Sequence, residues 1–165
     1  MKNHVKKIIR SIVLCLMLAG TCQAAPQEVK ISKSGETSLR AEVSGRKIQI
    51  NFLTTILKKS DPGFPLILSD YDEVSVVRKI SIEVDGNPLA VPWSVYADLF
   101  NLRGAELASE SGIFRLVTGG AGGADTYSVH IYFDSKRVIK REGYGAFPPY
   151  KPTEVTLYSP PLVLQ

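Results

Sequence analysis

The glycine-rich run at positions 119–124 is the first place where the sequence could do chemistry. Main-chain N–H groups that no Cβ shields can bind phosphate oxygens. A phosphate loop would continue with Gly-Lys-Ser/Thr, however, and a dinucleotide-binding pattern would need a glycine where Asp125 stands. A calcium-binding glycine/aspartate repeat would need several copies. We therefore expect a flexible hairpin loop between two strands, with a mobile recognition loop as the alternative.

The densest group of acids is Asp70, Asp72 and Glu73. Carboxylates at alternate positions resemble the start of a calcium loop. Val74 and Ser75 then occupy the places of the third oxygen ligand and of the glycine that such a loop requires. We expect a solvated turn before a strand at this point, and no metal site.

Histidine and cysteine chemistry depends on the first 24 residues, which hold every histidine and cysteine of the chain except His130. If that segment is removed, no thiol nucleophile, disulfide or multi-histidine zinc site is possible. Alternation places His130 on a solvent-facing row with Thr126, Ser128 and Tyr132. No Gly-x-Ser-x-Gly motif supplies a nucleophile for it. We expect no catalytic residue, metal or cofactor.

The first 24 residues have the order of a secretory signal peptide. Four cations within positions 1–10 precede an apolar run at 12–19, and the residues that follow are small or polar. The run is shorter than the roughly 20 residues that span a bilayer, so we expect no transmembrane anchor in the mature chain. Cleavage after Ala24 places small residues at the recognition positions. A lipoprotein modified at Cys22 is the alternative, which the extra Thr21 disfavours. We expect a periplasmic or secreted protein.

The charge balance argues against nucleic acid as a partner. The chain has 20 basic and 16 acidic residues, and four of the basic ones lie in the predicted signal peptide. The predicted mature chain, residues 25–165, therefore has no net charge, whereas a nucleic-acid binder needs clustered cations. A chain of this length forms one domain that can bury a core without disulfides.

Alternation of apolar and polar residues dominates the mature chain and predicts short β-strands. The clearest hairpin has strands at 39–43 and 48–52, joined by Ser44-Gly45. Further alternating segments lie at 74–84, 113–117, 127–133, 138–142 and 153–158. Together these segments predict a mainly β fold, which is a single-domain antiparallel β-sandwich or a barrel-like sheet.

Two segments depart from this pattern. Pro92 followed by apolar residues at helical spacing predicts one short α-helix at about 93–102. Five of the ten prolines fall within the last eighteen residues, which predicts an extended C-terminal tail at about 144–165 lying across the domain or along a sheet edge. Arg78 interrupts an apolar face, which indicates a position near a sheet edge.

The features left after these exclusions are those of recognition surfaces on a rigid core. Our first hypothesis is an exported bacterial binding protein without catalytic activity, an inhibitor or immunity-type factor or an accessory envelope subunit, with a protein partner. The predicted contact residues lie in a cationic strand and the aromatic tail: Tyr132, Lys136, Arg137, Lys140, Arg141, Tyr144, Phe147 and Tyr150. Protection of a sheet edge by the cations, and packing of the tail on its own domain, are the alternatives.

Two other functions stay open. An envelope hydrolase that uses carboxylates alone would draw on Asp70, Asp72, Asp125 or Asp134, and it requires a cleft in which two carboxylates converge. A small-ligand carrier would close its sheet around an apolar cavity, so it requires a hollow barrel.

Overall fold

The computed structural model describes residues 27–120, 126–145 and 151–159. The predicted signal peptide, Asp125, Phe147 and Tyr150 lie outside these ranges. The described residues form ten strands: β1 (Gln27–Lys30), β2 (Gly35–Val43), β3 (Arg46–Lys58), β4 (Glu73–Val84), β5 (Asn87–Pro88), β6 (Leu102–Glu110), β7 (Ile113–Gly120), β8 (Tyr127–Phe133), β9 (Val138–Gly145) and β10 (Glu154–Leu157).

The strands form two antiparallel sheets. One has six strands in the order β1-β6-β7-β8-β9-β10, and the other has four in the order β2-β3-β4-β5. Their inner faces share a core in which Phe52, Ile82, Leu116 and Phe133 are fully or almost fully buried. The predicted mainly β, antiparallel sandwich is confirmed, and the barrel alternative is not, because the described strands form two separate sheets.

Tight turns with two residues at positive φ join three of the hairpins. Ser44-Gly45 connects β2 to β3 and Asp85-Gly86 connects β4 to β5, as the sequence indicates, while Ser111-Gly112 connects β6 to β7. Such turns match the right-handed twist of the strands that they join. The β2–β3 hairpin therefore has the predicted register, with Leu39 opposite Ile50.

The predicted α-helix at about 93–102 is wrong. The structure has a single 3-10 turn at Trp93–Val95 that continues as turns through Asp98, after which the chain runs beside β4 at Leu99–Asn101. Val77 N–H donates to the carbonyl of Leu99, and Asn101 N–H donates to that of Ser75. These bonds satisfy backbone groups that a helix would have paired internally, so tertiary contacts override the local pattern.

Strand geometry explains the interruption at Arg78 and corrects one further expectation. Arg78 is the extra residue of a β-bulge, since Leu53 pairs with Lys79 while the adjacent Thr54 pairs with Val77. The glycine run does not begin as a loop, because β7 continues through Gly120. A Cβ atom at Gly120 would overlap the carbonyl oxygens of Phe100 and Asn101. That glycine is therefore required by close backbone contact.

Candidate functional site

Strand β9 carries three of the six described candidate residues, Lys140, Arg141 and Tyr144, and divides them between its two faces. Phe133 pairs with Val138 and Tyr132 pairs with Lys140, so Ile139 is an extra residue in β9. Because of this bulge, the side chains of Val138 and Arg141 are both buried, and Val138 does not share a face with Lys140 as the alternation indicated. Lys140, Glu142 and Tyr144 follow on the outer face of the six-stranded sheet.

The outer face holds a cluster built around one carboxylate, which we call the Glu142 cluster: Tyr132, Lys140, Glu142 and Tyr144. The hydroxyls of Tyr132 and Tyr144 each donate to Glu142 Oε2 at 2.8 Å, and Lys140 Nζ donates to Oε1 at 2.8 Å. Lys140 Nζ also lies 4.3 Å from the centre of the Tyr132 ring, a cation–π distance. The strands supply this geometry, since Tyr132 pairs directly with Lys140 across β8 and β9.

The carboxylate of Glu142 is held ionised by its donors. Burial opposes ionisation, but hydrogen bonds from Lys140, Tyr132 and Tyr144 lower its pKa to about 2. Burial and the bond to this carboxylate raise the pKa of Tyr144 to about 12. Both phenols therefore stay protonated as donors at neutral pH, and the two rings are fixed by the bonds that they make.

His130 lies beside this cluster on β8. Its ring packs against that of Tyr144 with centroids 4.5 Å apart, and burial, followed by the charge of Arg115, lowers its pKa. Its Nδ1 is buried and has no hydrogen-bond partner among the described residues. The predicted position on the outer face is right, but the ring is half-covered by its aromatic neighbour instead of facing open solvent.

Strand β10 borders the Glu142 cluster and forms one edge of the six-stranded sheet. Val155 pairs with Glu142 and Leu157 pairs with Lys140, so both apolar side chains share the outer face with the cluster. They are exposed, Val155 at 51% and Leu157 at 73%. The predicted extended tail is thus seen as an edge strand over 154–157.

The backbone of β10 is also open on one side. Tyr158 N–H donates to the carbonyl of Ile139, and in an antiparallel ladder alternate residues point their polar groups in opposite directions. Glu154 and Thr156 therefore face β9, whereas the N–H and C=O groups of Val155 and Leu157 point away from the sheet. No described strand lies on that side.

The opposite face of β9 lies at one end of the sandwich, beside a cleft of about 670 Å³. The cleft is bounded by the loop after β3, the extended segment before β6, and the ends of β8, β9 and β10. Aromatic and aliphatic side chains form much of its wall, including Leu99, Phe100 and Tyr127. Tyr127 is fixed there because its hydroxyl accepts from Phe100 N–H at 2.8 Å and donates to the carbonyl of Phe100 at 2.7 Å.

A buried guanidinium organises the polar side of the cleft. Arg141 Nη2 lies 2.6 Å from Asp98 Oδ2, and its Nη1 lies 3.0 Å from Glu154 Oε1. The side chain of Arg141 is 4% exposed, whereas those of Asp98 and Glu154 are 60% and 55% exposed. Nε of Arg141 is buried without a hydrogen-bond partner among the described residues. A ligand that enters the cleft therefore meets the carboxylates before the cation.

The remaining predicted cations lie in the turn between β8 and β9. The main-chain N–H groups of Lys136 and Arg137 both donate to Asp134 Oδ1, at 2.7 and 2.9 Å, which fixes the turn. Arg137 Nη1 donates to the carbonyl of Tyr158 and so ties down the end of β10. The side chain of Lys136 is exposed. The structure thus brings Tyr132, Lys140 and Tyr144 together and separates them from Arg141.

Several contributors were missed from the sequence. Glu142, Asp98 and Glu154 carry the polar contacts on both faces of β9, and Val155 and Leu157 carry the exposed apolar area. Glu142 could have been found, because it lies two residues from both Lys140 and Tyr144, a spacing that places all three on one face of a strand. Asp98 is far from Arg141 in sequence, and only the fold joins them.

Of the acids proposed for a hydrolase, Asp125 lies outside the described residues, and the described Asp70 and Asp134 lie far apart. Asp134 fixes the turn at the end of β8, while Asp70 lies at the cleft beside the start of the same strand. A seven-residue strand separates the two by roughly 20 Å. Among the described residues, no group of three or more potential ligands is arranged to hold a metal ion.

No family model, curated protein or solved structure matches this chain. No helix within the described ranges is long and apolar enough to cross a membrane.

Proposed function

We propose that this chain is an exported bacterial binding protein without catalytic activity, which holds a protein partner against the outer face of β8, β9 and β10. The observation that carries the proposal is the position of the Glu142 cluster, which fixes two tyrosines and a lysine beside an edge strand with exposed apolar side chains. We call this area, formed by Tyr132, Lys140, Glu142, Tyr144, Val155 and Leu157, the outer patch.

The outer patch is ordered before any partner arrives. Tyrosine has few rotatable bonds, and here each hydroxyl is already bonded to the same carboxylate. Association is weakened by the entropy lost when side chains become fixed, so rings that are fixed in advance favour binding. Tyrosine-rich surfaces with a polar handle are typical of protein interfaces.

The edge of β10 indicates how a partner would dock. Proteins usually protect an exposed edge with lysine, proline or a bulge. The outward-facing positions of β10 are instead Val155 and Leu157, whose backbone groups are open and whose side chains are exposed. An extended segment of the partner that pairs with β10 would continue the sheet and cover both side chains.

The cations contribute less to this surface than the sequence indicated. Lys140 is paired with Glu142, and Arg141 is buried on the opposite face. Lys136 remains as an exposed charge at the turn, where a cation tunes the rate of association more than the affinity. Recognition therefore rests mainly on the tyrosines and on the apolar edge. Export is supported by the order of cations, apolar run and small residues in the first 24 positions.

The test compares two matched double variants in affinity capture from an envelope extract of the source cells. Val155→Lys with Leu157→Lys places charges at the open edge of β10. The control variant, Leu53→Lys with Ile56→Lys, replaces two exposed apolar residues of β3, in the four-stranded sheet, with the same two charges. We expect the β10 variant to lose a partner that the unchanged protein and the β3 variant both retain.

Both variants are first compared with the unchanged protein by circular dichroism and thermal unfolding, so that loss of the fold is detected separately. Equal capture by all three proteins would contradict the proposal. A partner lost only from the β3 variant would contradict it too, because it would move the binding surface to the four-stranded sheet. If size-exclusion chromatography shows that β10 joins two copies of this chain, the partner is the protein itself, and the hetero-partner proposal is wrong.

A further inference from the structure

The cleft at the end of the sandwich is a recessed site that shares Tyr144 with the outer patch and whose other lining residues lie outside that patch. It lies on the inner side of β9, and its volume of about 670 Å³ falls in the range of small-molecule sites. We propose that this cleft binds a primary ammonium group carried on an apolar chain. The proposal does not depend on the proposed function, because the carboxylates that carry it, those of Asp70, Asp98 and Glu154, are not part of the outer patch.

The sign of the exposed charge supports a cationic ligand. Arg141 is covered by Asp98 and Glu154, so the single buried positive charge is matched by two carboxylates that remain more than half exposed. Asp70 adds a third carboxylate to the wall of the cleft. A ligand carboxylate would meet acids of its own sign, whereas an ammonium would meet opposite charges.

The arrangement of the acids supports a compact cation. Asp98 and Glu154 bind the two terminal nitrogens of one guanidinium, so their carboxylates lie side by side at the cleft. An ammonium carries three N–H donors on one atom and can bond to neighbouring carboxylates at once.

The remaining wall suits an apolar chain and the methylene groups beside an ammonium. Leu99, Phe100 and Val129 line it, and the rings of Phe100 and Tyr127 lie 5.2 Å apart. The bonds between the Tyr127 hydroxyl and the backbone of Phe100 fix this aromatic pair. Aromatic faces attract cations, so the apolar wall and the acids favour the same kind of ligand.

The test is a ligand titration of the purified protein at pH 7, followed by amide chemical shifts in NMR. The probes are hexylamine, 1-hexanol and hexanoate, which share a chain length and carry a positive, a neutral and a negative head group. We expect hexylamine to shift the amides of 97–100 and 143–145 and to bind at least about tenfold more tightly than 1-hexanol. Hexanoate should bind more weakly than either.

Two aspartates provide a matched pair of variants. Asp70 lines the cleft and Asp72 does not, and both are exposed and take no part in the Arg141 ion pairs. We expect Asp70→Asn to weaken hexylamine binding about fivefold and Asp72→Asn to leave it unchanged. Asp98→Asn should weaken it further, with its folding checked separately because Asp98 binds the buried guanidinium.

A further titration distinguishes an ammonium carried by a protein from that of a free amine. Nα-acetyl-lysinamide presents a lysine side chain, so binding comparable to that of hexylamine indicates a protein-borne lysine, and much weaker binding indicates a free amine. The proposal is overturned if hexylamine binds no better than 1-hexanol or if hexanoate binds best. It is also overturned if Asp70→Asn and Asp72→Asn behave alike.

Discussion

The two faces of β9 carry opposite arrangements of the same chemical groups. On the outer face one carboxylate, Glu142, is surrounded by donors, and on the inner face one guanidinium, Arg141, is surrounded by carboxylates. In each ion pair the central group is the less exposed partner. The Glu142 side chain is 13% exposed against 31% for Lys140, and Arg141 is 4% exposed against more than half for its partners.

This inversion decides what each face offers to a ligand. On the outer face the central acid accepts the single O–H of each tyrosine, so the aromatic rings and the remaining N–H groups of Lys140 are left to a ligand, while the central guanidinium on the inner face leaves carboxylates there. The outer patch therefore presents rings and one ammonium, and the cleft presents carboxylate acceptors. One strand gives the protein two sites of different chemistry because its side chains alternate between the faces.

The two clusters should differ most strongly in the free energy of unfolding that is lost when the groups around the central residue are substituted. Asp98→Asn combined with Glu154→Gln leaves the buried guanidinium without an ionic partner, which we expect to lower the free energy of unfolding by roughly 3 kcal/mol. Arg141→Met should cost about 1 kcal/mol or less, because the exposed carboxylates can be hydrated where they stand. Urea unfolding measures both changes. Similar losses for the two variants would mean that the guanidinium is not the buried centre of the cluster.

On the outer face the central group itself is the sensitive one. Glu142→Gln removes the ion pair with Lys140 and weakens the bonds from Tyr132 and Tyr144, so we expect a loss of about 1–2 kcal/mol at pH 7. The pKa of Glu142 is lowered from 4.5 to about 2, so its stabilising effect is complete above about pH 5 and is lost as the pH falls toward 2. The unfolding curves of the variant and the unchanged protein should converge over that range. A constant difference down to pH 2 would show that the carboxylate charge does not carry the effect.

The smallest effect is expected at the turn that joins the strands of the two sites. Lys136 is exposed, and it is its backbone N–H that bonds to Asp134. Lys136→Ser should change the free energy of unfolding by less than about 0.5 kcal/mol in the same urea measurement. A larger loss would indicate that this lysine supports the fold and is a poor residue for testing charge in partner binding.

The regular part of the fold could be predicted because the information is local. Alternation along 39–52 and the Ser44-Gly45 turn specify the β2–β3 hairpin, since side-chain period and turn type act within a few residues. The segment at 93–102 has equally clear helical spacing and nevertheless forms only turns at 93–98 before it runs beside β4. Its backbone bonds to β4, which lies some twenty residues earlier, decide its conformation.

The candidate sites show the same limit. Tyr132, Lys140 and Tyr144 were predicted as contact residues and lie together, because two of them share one strand and the third is its hairpin partner. Arg141 was predicted as part of the same cationic surface, but the fold buries it between Asp98 and Glu154. No sequence spacing relates Asp98 or Glu154 to Arg141, so the cleft could be found only from the structure.

The pairing of β1 with β6 has a consequence for how fast this chain can fold. Gln27 pairs with Leu107, and the whole four-stranded sheet lies in the stretch between these partners. The six-stranded sheet gains this edge only after the chain has closed a loop that contains another sheet, a step with a high entropic barrier. Domains with such long-range pairing fold over roughly milliseconds to seconds, far more slowly than single hairpins. For that interval the newly made chain holds its local hairpins while the edge of β6 that β1 will cover stays open.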